Sequence, residues 1–523
     1  MQERNNTSQV VAQCRKWISD CFGNHEVCRQ RVGAIENWLP TRLLDTGSPS
    51  EPPSVRLVIS TNLNAARTSY LALSHCWGKL EIIILRLSTL DEFQEGIPLA
   101  ALPRTFQHAV VMTRALGYRY LWIDSLCIIQ DSSDDWQYEA TLMGEVYGQA
   151  DCVLAATGSK DGNGGLFQER EPQLFAPFEV GAKFVFHNET YLCIRKEFWE
   201  RELANAPLNQ RGWVVQERML SPRTLQFGKN QIFWQCREVE ACETLPKEIP
   251  QDFIYFGDRD GDGFKRWMQP DSGARSIALG PYDPWGHVVE VYTRTLLTKS
   301  QDKLIAISGI ARKMSLTLDD VYLAGLWRNN LINGLLWKVN MGEQIDGSPS
   351  RRTTVYRAPT WSWASIDGMV TQVLDSDLYG DDLVSILDAS TDPVGSDEYG
   401  QLKGGRITLE GIVKLIRKPS FFYFSGNDIS GTYHPDDYHL SQNMDECYIL
   451  PLRYHRIARF FEDELWGLVI RPIRSIPNGF ERVGLFQVNE EEDICNVGNL
   501  KGGDTKGNYG LTDSEERRII HLL

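Results

Sequence analysis

The sequence of 523 residues lacks any apolar run long enough to span a bilayer, and it lacks any long run of lysine or arginine. It carries 54 basic and 69 acidic side chains, a formal net charge of −15, which disfavours nucleic-acid binding through phosphate neutralisation. The first thirty residues contain no apolar core of the signal-peptide kind. We therefore expect a cytoplasmic protein without a membrane span and without a nucleic-acid partner.

The eleven cysteines are scattered and odd in number, which argues against a disulfide framework and for a reduced intracellular protein. Cys21, His25 and Cys28 fall within eight residues and could bind zinc, with Cys14 as a fourth ligand. Their spacing is not that of a standard zinc finger, and no second cluster follows. Structural packing and a metal site are both open interpretations, and we predict packing without a metal.

The sequence predicts three short apolar strands, at 70–74, 120–124 and 151–156. Two helices are predicted to join them. The helices follow from apolar side chains at helical spacing, namely Phe106, Ala109, Val110 and Thr113 in one and Trp136, Ala140, Met143 and Tyr147 in the other. Strands that alternate with helices favour a parallel sheet, here in the order 2-1-3. We predict an α/β fold with a small parallel sheet and flanking helices.

The rest of the chain predicts further segments around this sheet. Residues 1–50 form an N-terminal helical segment that ends in a Gly/Ser/Pro-rich connector, and 51–245 form the main domain. Residues 246–370 are predicted to be a helical or linker region that completes the core. Residues 371–523 alternate apolar and polar side chains, which indicates mainly antiparallel strands followed by a polar tail.

Polar loops follow the three central strands, at the edge where ligands bind in open parallel sheets. We predict a candidate ligand cleft there. Its candidate catalytic residues are Asp124, His75, Glu139 and Cys127, and its candidate ligand-binding residues are Ser74, Trp77, Gln130 and Asp131. Each has a simpler interpretation as well, because an aspartate can cap a turn and a histidine or cysteine can be part of the core.

A later segment adds charged candidates beside Trp213. Arg211, Glu217 and Arg218 fall on a predicted short helix before a hairpin, and they either brace the hairpin against the sheet or reach the cleft. A separate run, Asp258, Asp260 and Asp262, resembles the start of a calcium loop. Gln269 stands where a calcium loop needs its bidentate glutamate, so we predict a solvated loop there.

Three long motifs, at 71–78, 120–131 and 211–223, resemble the heterokaryon-incompatibility (HET) domain of filamentous fungi. They occur in the order of the family, and the resemblance covers about residues 55 to 240. Asp302-Lys303 and the segment from Trp361 to Ser365 also resemble the C-terminal half of many such proteins. The resemblance implies a role in nonself recognition after hyphal fusion and in the cell death that follows.

The HET domain has been compared with the TIR domain, a flavodoxin-like signalling fold with some members that cleave NAD. The catalytic glutamate of TIR domains lies in a Trp-Cys-x-x-Glu-Leu block, and no such block follows Ala156. Two hypotheses therefore stay open. One is a death effector that acts by self-association or with another incompatibility protein. The other is an enzyme that acts on a nucleotide or on a small metabolite of a secondary pathway, with an unknown cofactor.

Overall fold

A computed structural model describes residues 3–29, 37–48, 50–79, 81–168, 170, 178–183, 188–193, 200–250, 265, 280–340, 348–372, 378–416, 422–426, 429–437, 446–457, 462–489, 494, 497, 500–501, 510–511 and 517–523. The chain divides into two compact units, Met1–Gln269 and Pro270–Leu523. Within the described ranges, every helix is too short or too polar to cross a membrane.

The first unit is mixed α/β. Its helices are α1 (Glu3–Asn24), α2 (Glu26–Arg29), α3 (Leu90–Glu95), α4 (Arg104–Ala115), α5 (Asp124–Cys127), α6 (Ser133–Gln149) and α7 (Gly212–Leu220). Its strands are β1 (Arg42–Asp45), β2 (Arg56–Ile59), β3 (Tyr70–Ser74), β4 (Tyr120–Trp122), β5 (Cys152–Ala155), β6 (Phe178–Lys183), β7 (Asn188–Cys193), β8 (Arg223–Phe227), β9 (Ile232–Cys236) and β10 (Glu240–Cys242).

Eight of these strands form one sheet in the order β10-β9-β8-β5-β3-β4-β1-β2. The four central strands are parallel, with Leu71 opposite both Leu121 and Cys152. The predicted order 2-1-3 of the three central strands is therefore confirmed. The outer strands are antiparallel, so the parallel part is the centre of a wider mixed sheet.

The two predicted crossover helices are confirmed as α4 and α6. Helix α4 starts directly after Pro103, and Gly117 follows it with φ +91°, a conformation that glycine adopts without strain. Ser132 caps the start of helix α6, because its hydroxyl accepts a hydrogen bond from the amide of Asp135. The apolar faces of both helices pack on the sheet in one core.

Strand β1 was not predicted. It pairs with β2 across the Gly/Ser/Pro-rich connector, and it pairs with β4 on its other side. The chain on both sides of the predicted boundary at residue 50 therefore contributes to one sheet. All four residues of β1 are buried, including Arg42 and Asp45.

The second unit contains the helices α8 (Asp283–Thr293), α9 (Ser308–Leu318) and α10 (Leu331–Gly334). Its strands are β11 (Tyr322–Leu323), β12 (Leu326–Trp327), β13 (Trp337–Val339), β14 (Arg351–Arg352), β15 (Ile366–Asp367), β16 (Val370–Gln372), β17 (Leu378–Asp382), β18 (Ser385–Pro393), β19 (Leu402–Gly411), β20 (Lys414–Ile416), β21 (Phe422–Gly426), β22 (Ile429–Pro435), β23 (Cys447–Ile457), β24 (Glu462–Pro472), β25 (Gly479–Val488), β26 (Leu500–Lys501), β27 (Gly510–Leu511) and β28 (Arg518–Leu522).

Ten of these strands form a sheet that is antiparallel except where β25 pairs with β28. The predicted antiparallel C-terminal region is thus present, and one strand of it, β28, lies in the predicted polar tail. The segment from Tyr322 to Trp337, which we expected to be helical, is helical only from Arg328 to Gly334 and has short strands on either side. Trp361 and Trp363 are both fully buried, as their size suggests.

Candidate functional site

The carboxyl ends of β3, β4 and β5 bring three loops together. The loop after β3 passes close to the loop after β5, because a Cβ on Gly78 would lie 2.5 Å from the Cβ of Asp161. Gly78 has φ +71°, so a glycine suits this close approach in two ways. The loop after β4 joins them through Asp124. We call Ser74, His75, Asp124, Tyr147, Arg211 and Glu217 the charged centre.

His75 lies directly after β3 and is buried, with its ring packed edge-on against Phe106 at 4.8 Å between centroids. Its Nδ1 lies 3.7 Å from Oδ1 of Asp124. Burial lowers the pKa of His75 to about 4, so the imidazole is neutral at pH 7. Among the described residues, neither ring nitrogen has a hydrogen-bond partner.

Asp124 is the first residue of α5, and its side chain is 19% exposed. The indole nitrogen of Trp77 donates to Oδ2 at 2.8 Å, and the amide of Ser125 donates to Oδ1 at 2.6 Å. The carboxylate therefore caps its own turn and also holds the Trp77 loop in place. It is the most exposed carboxylate of the charged centre.

Glu217, on α7, is the second carboxylate of the charged centre. The hydroxyl of Ser74 donates to its Oε2 at 2.5 Å, and the Tyr147 hydroxyl is a further hydrogen-bond partner. Burial raises the pKa of Glu217 to about 7, although Arg211 and the Ser74 hydrogen bond oppose that rise. The negative charge of Asp124 raises the pKa further, because two carboxylates repel each other.

Arg211 precedes α7 and ties that helix to the central strand. Its Nη1 donates to the backbone carbonyl of His75, and its positive charge lowers the pKa of both His75 and Glu217. Tyr147, on α6, donates to the carbonyl of Leu73 at 3.3 Å. Sequence reasoning placed Tyr147 in the apolar stripe of α6 and missed its hydroxyl, which is the polar signal that could have identified it.

Glu139 and Asp131 do not join the charged centre. Glu139 is buried beside Arg42, with 3.7 Å between its Oε1 and the Nη1 of the arginine. Arg42 also pairs with Asp135, one helical turn before Glu139. Asp131 is exposed and accepts a hydrogen bond from the amide of Leu87 at 2.9 Å. Of the candidates Asp124, Asp131 and Glu139, only Asp124 lies in the charged centre, where its charge acts on Glu217.

The remaining predicted candidates have supporting roles. Burial raises the pKa of the Cys127 thiol to about 12, and a neutral buried thiol is a poor nucleophile. Gln130 donates to the carbonyls of Asp124 and Ile128 and so holds the turn that carries Asp124. Burial lowers the pKa of Lys265 to about 8, and the positive charge of Arg218 lowers it further. These contacts assign Cys127 to the core and Gln130 to the turn.

The second unit contains a cavity of about 380 Å³ that the sequence did not indicate. Lys303, Arg351 and Asp367 are among its lining residues. Burial lowers the pKa of Lys303 to about 7, and its amino group donates to the carbonyl of Ile366. This charged lining comes from residues far apart in sequence, which explains why no motif predicted it. The segment with Asp258, Asp260 and Asp262, which we predict to be a solvated loop, lies outside the described residues.

Residues 70–217 match the family model described as heterokaryon incompatibility protein (HET). This segment is a HET domain. The match begins at the first residue of β3 and ends at Glu217, so the Ser74–Glu217 hydrogen bond joins the first strand of the HET domain to its last residue. The domain suggests a function of the heterokaryon-incompatibility type. No curated protein and no solved structure matches the chain.

Proposed function

We propose that this chain is an effector of heterokaryon incompatibility, which kills or arrests fungal cells in the cytoplasm after unlike hyphae fuse. The proposal rests on the HET domain at residues 70–217. The structure adds one supporting observation: residues from all three motifs contribute to one charged centre. Ser74 and His75 come from the first motif, Asp124 from the second, and Arg211 and Glu217 from the third.

We propose a protein as the trigger, either a second copy of the chain or another incompatibility protein. The charged centre supports this mode of action because it is closed, with His75 2% exposed and Glu217 4% exposed. A ligand reaches these two side chains only after a local opening. Association with a protein can provide that opening, since binding shifts an existing equilibrium toward the state that binds better.

A second candidate is an enzyme that acts on a nucleotide or a small metabolite. The buried ring nitrogens of His75 favour it, because buried polar atoms usually have hydrogen-bond partners and these two have none among the described residues. A carboxyl group with a pKa of about 7, as for Glu217, is well matched to general acid or base catalysis at neutral pH. Asp124 then offers the exposed carboxylate that a ribose hydroxyl can contact.

The spacing around Glu217 bears on the TIR comparison and on NAD cleavage. Glu217 stands four residues after Trp213, which is the spacing of the tryptophan and the glutamate in the TIR block. The cysteine and leucine positions of that block hold Val214 and Arg218 here. Glu217 is therefore the residue that we propose for the catalytic role in the TIR-like alternative.

Inducible expression of the full chain in a filamentous fungus tests the proposal. We expect growth arrest and loss of viability, which a strain with the empty promoter does not show. The purified chain is incubated with NAD in parallel, and released nicotinamide is measured. Death without nicotinamide release supports the association mode, whereas release that Glu217→Gln abolishes supports the enzyme. Normal growth at a readily detected level of the protein contradicts a second copy of the chain as a sufficient trigger, and the absence of nicotinamide release contradicts NAD cleavage.

A further inference from the structure

We propose that Cys21, His25, Cys28 and Cys236 bind one structural zinc ion, which fastens the N-terminal helices to the edge of the sheet. Cys21 lies near the end of α1, Cys28 lies on α2, and His25 stands between the two helices. Cys236 is the last residue of β9. The sequence alone suggests Cys14 as the fourth ligand and favours packing without a metal.

The four ligand atoms lie close enough together for a tetrahedral zinc site to form with a small movement of the side chains. They all lie within 4.8 Å of one another. Nδ1 of His25 lies 3.4 Å from Sγ of Cys236 and 4.0 Å from Sγ of Cys28. Zinc bonds of about 2.3 Å to sulfur and about 2.0 Å to nitrogen place tetrahedral ligands about 3.5 to 3.8 Å apart. A small inward movement of the side chains therefore completes the coordination.

The local sequence explains how three ligands converge. Cys21, His25 and Cys28 stand at positions i, i+4 and i+7, which face the same side of a helical segment. The fourth ligand comes from a residue more than two hundred positions later in the chain. Cys236 lies opposite Arg223 in the sheet, at the amino end of β8. Because β8 is parallel to β5, Cys236 lies at the amino ends of the parallel strands, and the charged centre lies at their carboxyl ends.

Buried Arg223 provides an independent argument for a metal with thiolate ligands. It is 3% exposed and donates to Sγ of Cys21 at 3.2 Å and to the carbonyls of Cys28 and Asp151. These acceptors are neutral if the cysteine is a thiol. A buried cation needs a compensating negative charge. Zn²⁺ with three thiolates and one neutral histidine has a net charge of −1, which Arg223 would balance.

Cys236 makes two contacts with the backbone of Val239. Its Sγ lies 3.4 Å from the Val239 carbonyl, a contact in which a thiol donates and which a metal-bound thiolate would give up. The other contact suits a thiolate. The amide of Val239 donates to Sγ of Cys236 at 3.2 Å, and a hydrogen bond to a thiolate is stronger than one to a thiol. Glu238 accepts from the amide of Val27 at 2.6 Å, so the turn after β9 also holds the start of α2. Such outer contacts orient the ligands of a metal site.

The ligand set indicates a structural role for the metal. Cys21, Cys28 and Cys236 are at most 3% exposed, and four protein ligands leave no open position for a substrate or a catalytic water. Three cysteines with one histidine favour zinc over magnesium or calcium, which prefer oxygen ligands. The ion would connect α1 and α2 to β9 and so hold the N-terminal segment on the sheet.

The metal content of the full chain tests the proposal directly. The protein is purified without a metal-affinity resin and analysed by inductively coupled plasma mass spectrometry, and we expect one zinc per chain. Cys236→Ser should lose the zinc and lower the melting temperature by about 10 °C or more. Two matched controls should keep it, Cys242→Ser on the neighbouring strand and Cys14→Ser on α1. His25→Cys should also keep it, because Cys₄ is a standard zinc set.

A second measurement covers the case in which Cys236→Ser does not fold. Wild-type protein expressed with cobalt in place of zinc should show the visible absorption of tetrahedral cobalt with thiolate ligands. Zinc added in excess should remove that absorption. Wild-type protein with substoichiometric metal, a Cys236→Ser variant with full zinc content, or a disulfide between any two of the three cysteines in the native protein would overturn the proposal.

Discussion

Replacing Glu217 by glutamine should stabilise the protein relative to the wild type as the pH rises from about 5 to about 8. Burial raises the folded-state pKa of this carboxyl from 4.5 to about 7. The stability that Glu217 contributes to the wild-type protein is therefore fully present below about pH 4.5, and it is lost as the pH rises through 7. A shift of this size corresponds to about 3 kcal/mol of differential stability between the two ends of the range.

The comparison isolates Glu217 because His75 is present in both proteins. The folded-state pKa of His75 is lowered from 6.5 to about 4. The stability that neutral His75 contributes is therefore lost as the pH falls from 6.5 to about 4, which is the opposite trend to that of Glu217. In the variant this second trend is no longer offset, and its stability should rise between about pH 4 and 6.5. Urea denaturation at several pH values measures both trends. If the stability difference between the two proteins does not change with pH, the pKa of Glu217 is not raised in the folded protein.

Asp436→Ala should destabilise the second unit by about 3 to 5 kcal/mol, since it leaves a buried arginine without its partner. Arg482 and Asp436 are both fully buried, and they form two hydrogen bonds of 3.0 and 3.1 Å. The guanidinium also donates to the carbonyls of Leu335 and Trp337 and lies 3.3 Å from the centre of the Trp337 ring. These contacts hold the arginine in place once the carboxylate is removed.

A partly exposed ion pair in the same sheet supplies the control. Arg471 and Glu481 are 2.7 Å apart, with side chains 32% and 24% exposed. Glu481→Ala should cost less than about 1 kcal/mol, as is usual for such pairs. Urea denaturation followed by tryptophan fluorescence compares the two variants. Equal costs for the two substitutions would show that the Asp436–Arg482 pair does not stabilise the unit in the way described.

The centre of the fold could be predicted because local pattern determines it. The apolar stripe from Phe106 to Thr113 and the stripe from Trp136 to Tyr147 each mark one face of a helix, and both helices pack as expected. Short parallel strands between them follow from the same alternation. Strand β1 has only four residues beside a Gly/Ser/Pro-rich connector, which is too short a pattern to distinguish from a loop.

The membership of the charged centre could be predicted only in part. Ser74, His75 and Asp124 follow from the rule that parallel strands end at one edge of the sheet. Glu139 lies apart from the charged centre beside Arg42, which is on strand β1, a strand that the sequence pattern did not predict. Glu217 contacts Ser74 across 143 positions, and such a contact depends on tertiary packing that no local pattern encodes. The contact between Cys236 and His25 likewise depends on tertiary packing between distant parts of the sequence.

Asp124→Asn tests whether the HET domain acts through the charged centre. An asparagine keeps the shape but can satisfy only one of the two donors, Trp77 and Ser125, which should lower the melting temperature by no more than about 4 °C. Asp131→Asn is the matched control, because Asp131 is exposed and outside the charged centre. The measurement is the loss of viability in the fungal host at equal protein levels. We predict that Asp124→Asn abolishes killing while Asp131→Asn kills like the wild type, and full killing by a stable Asp124→Asn protein would contradict the account.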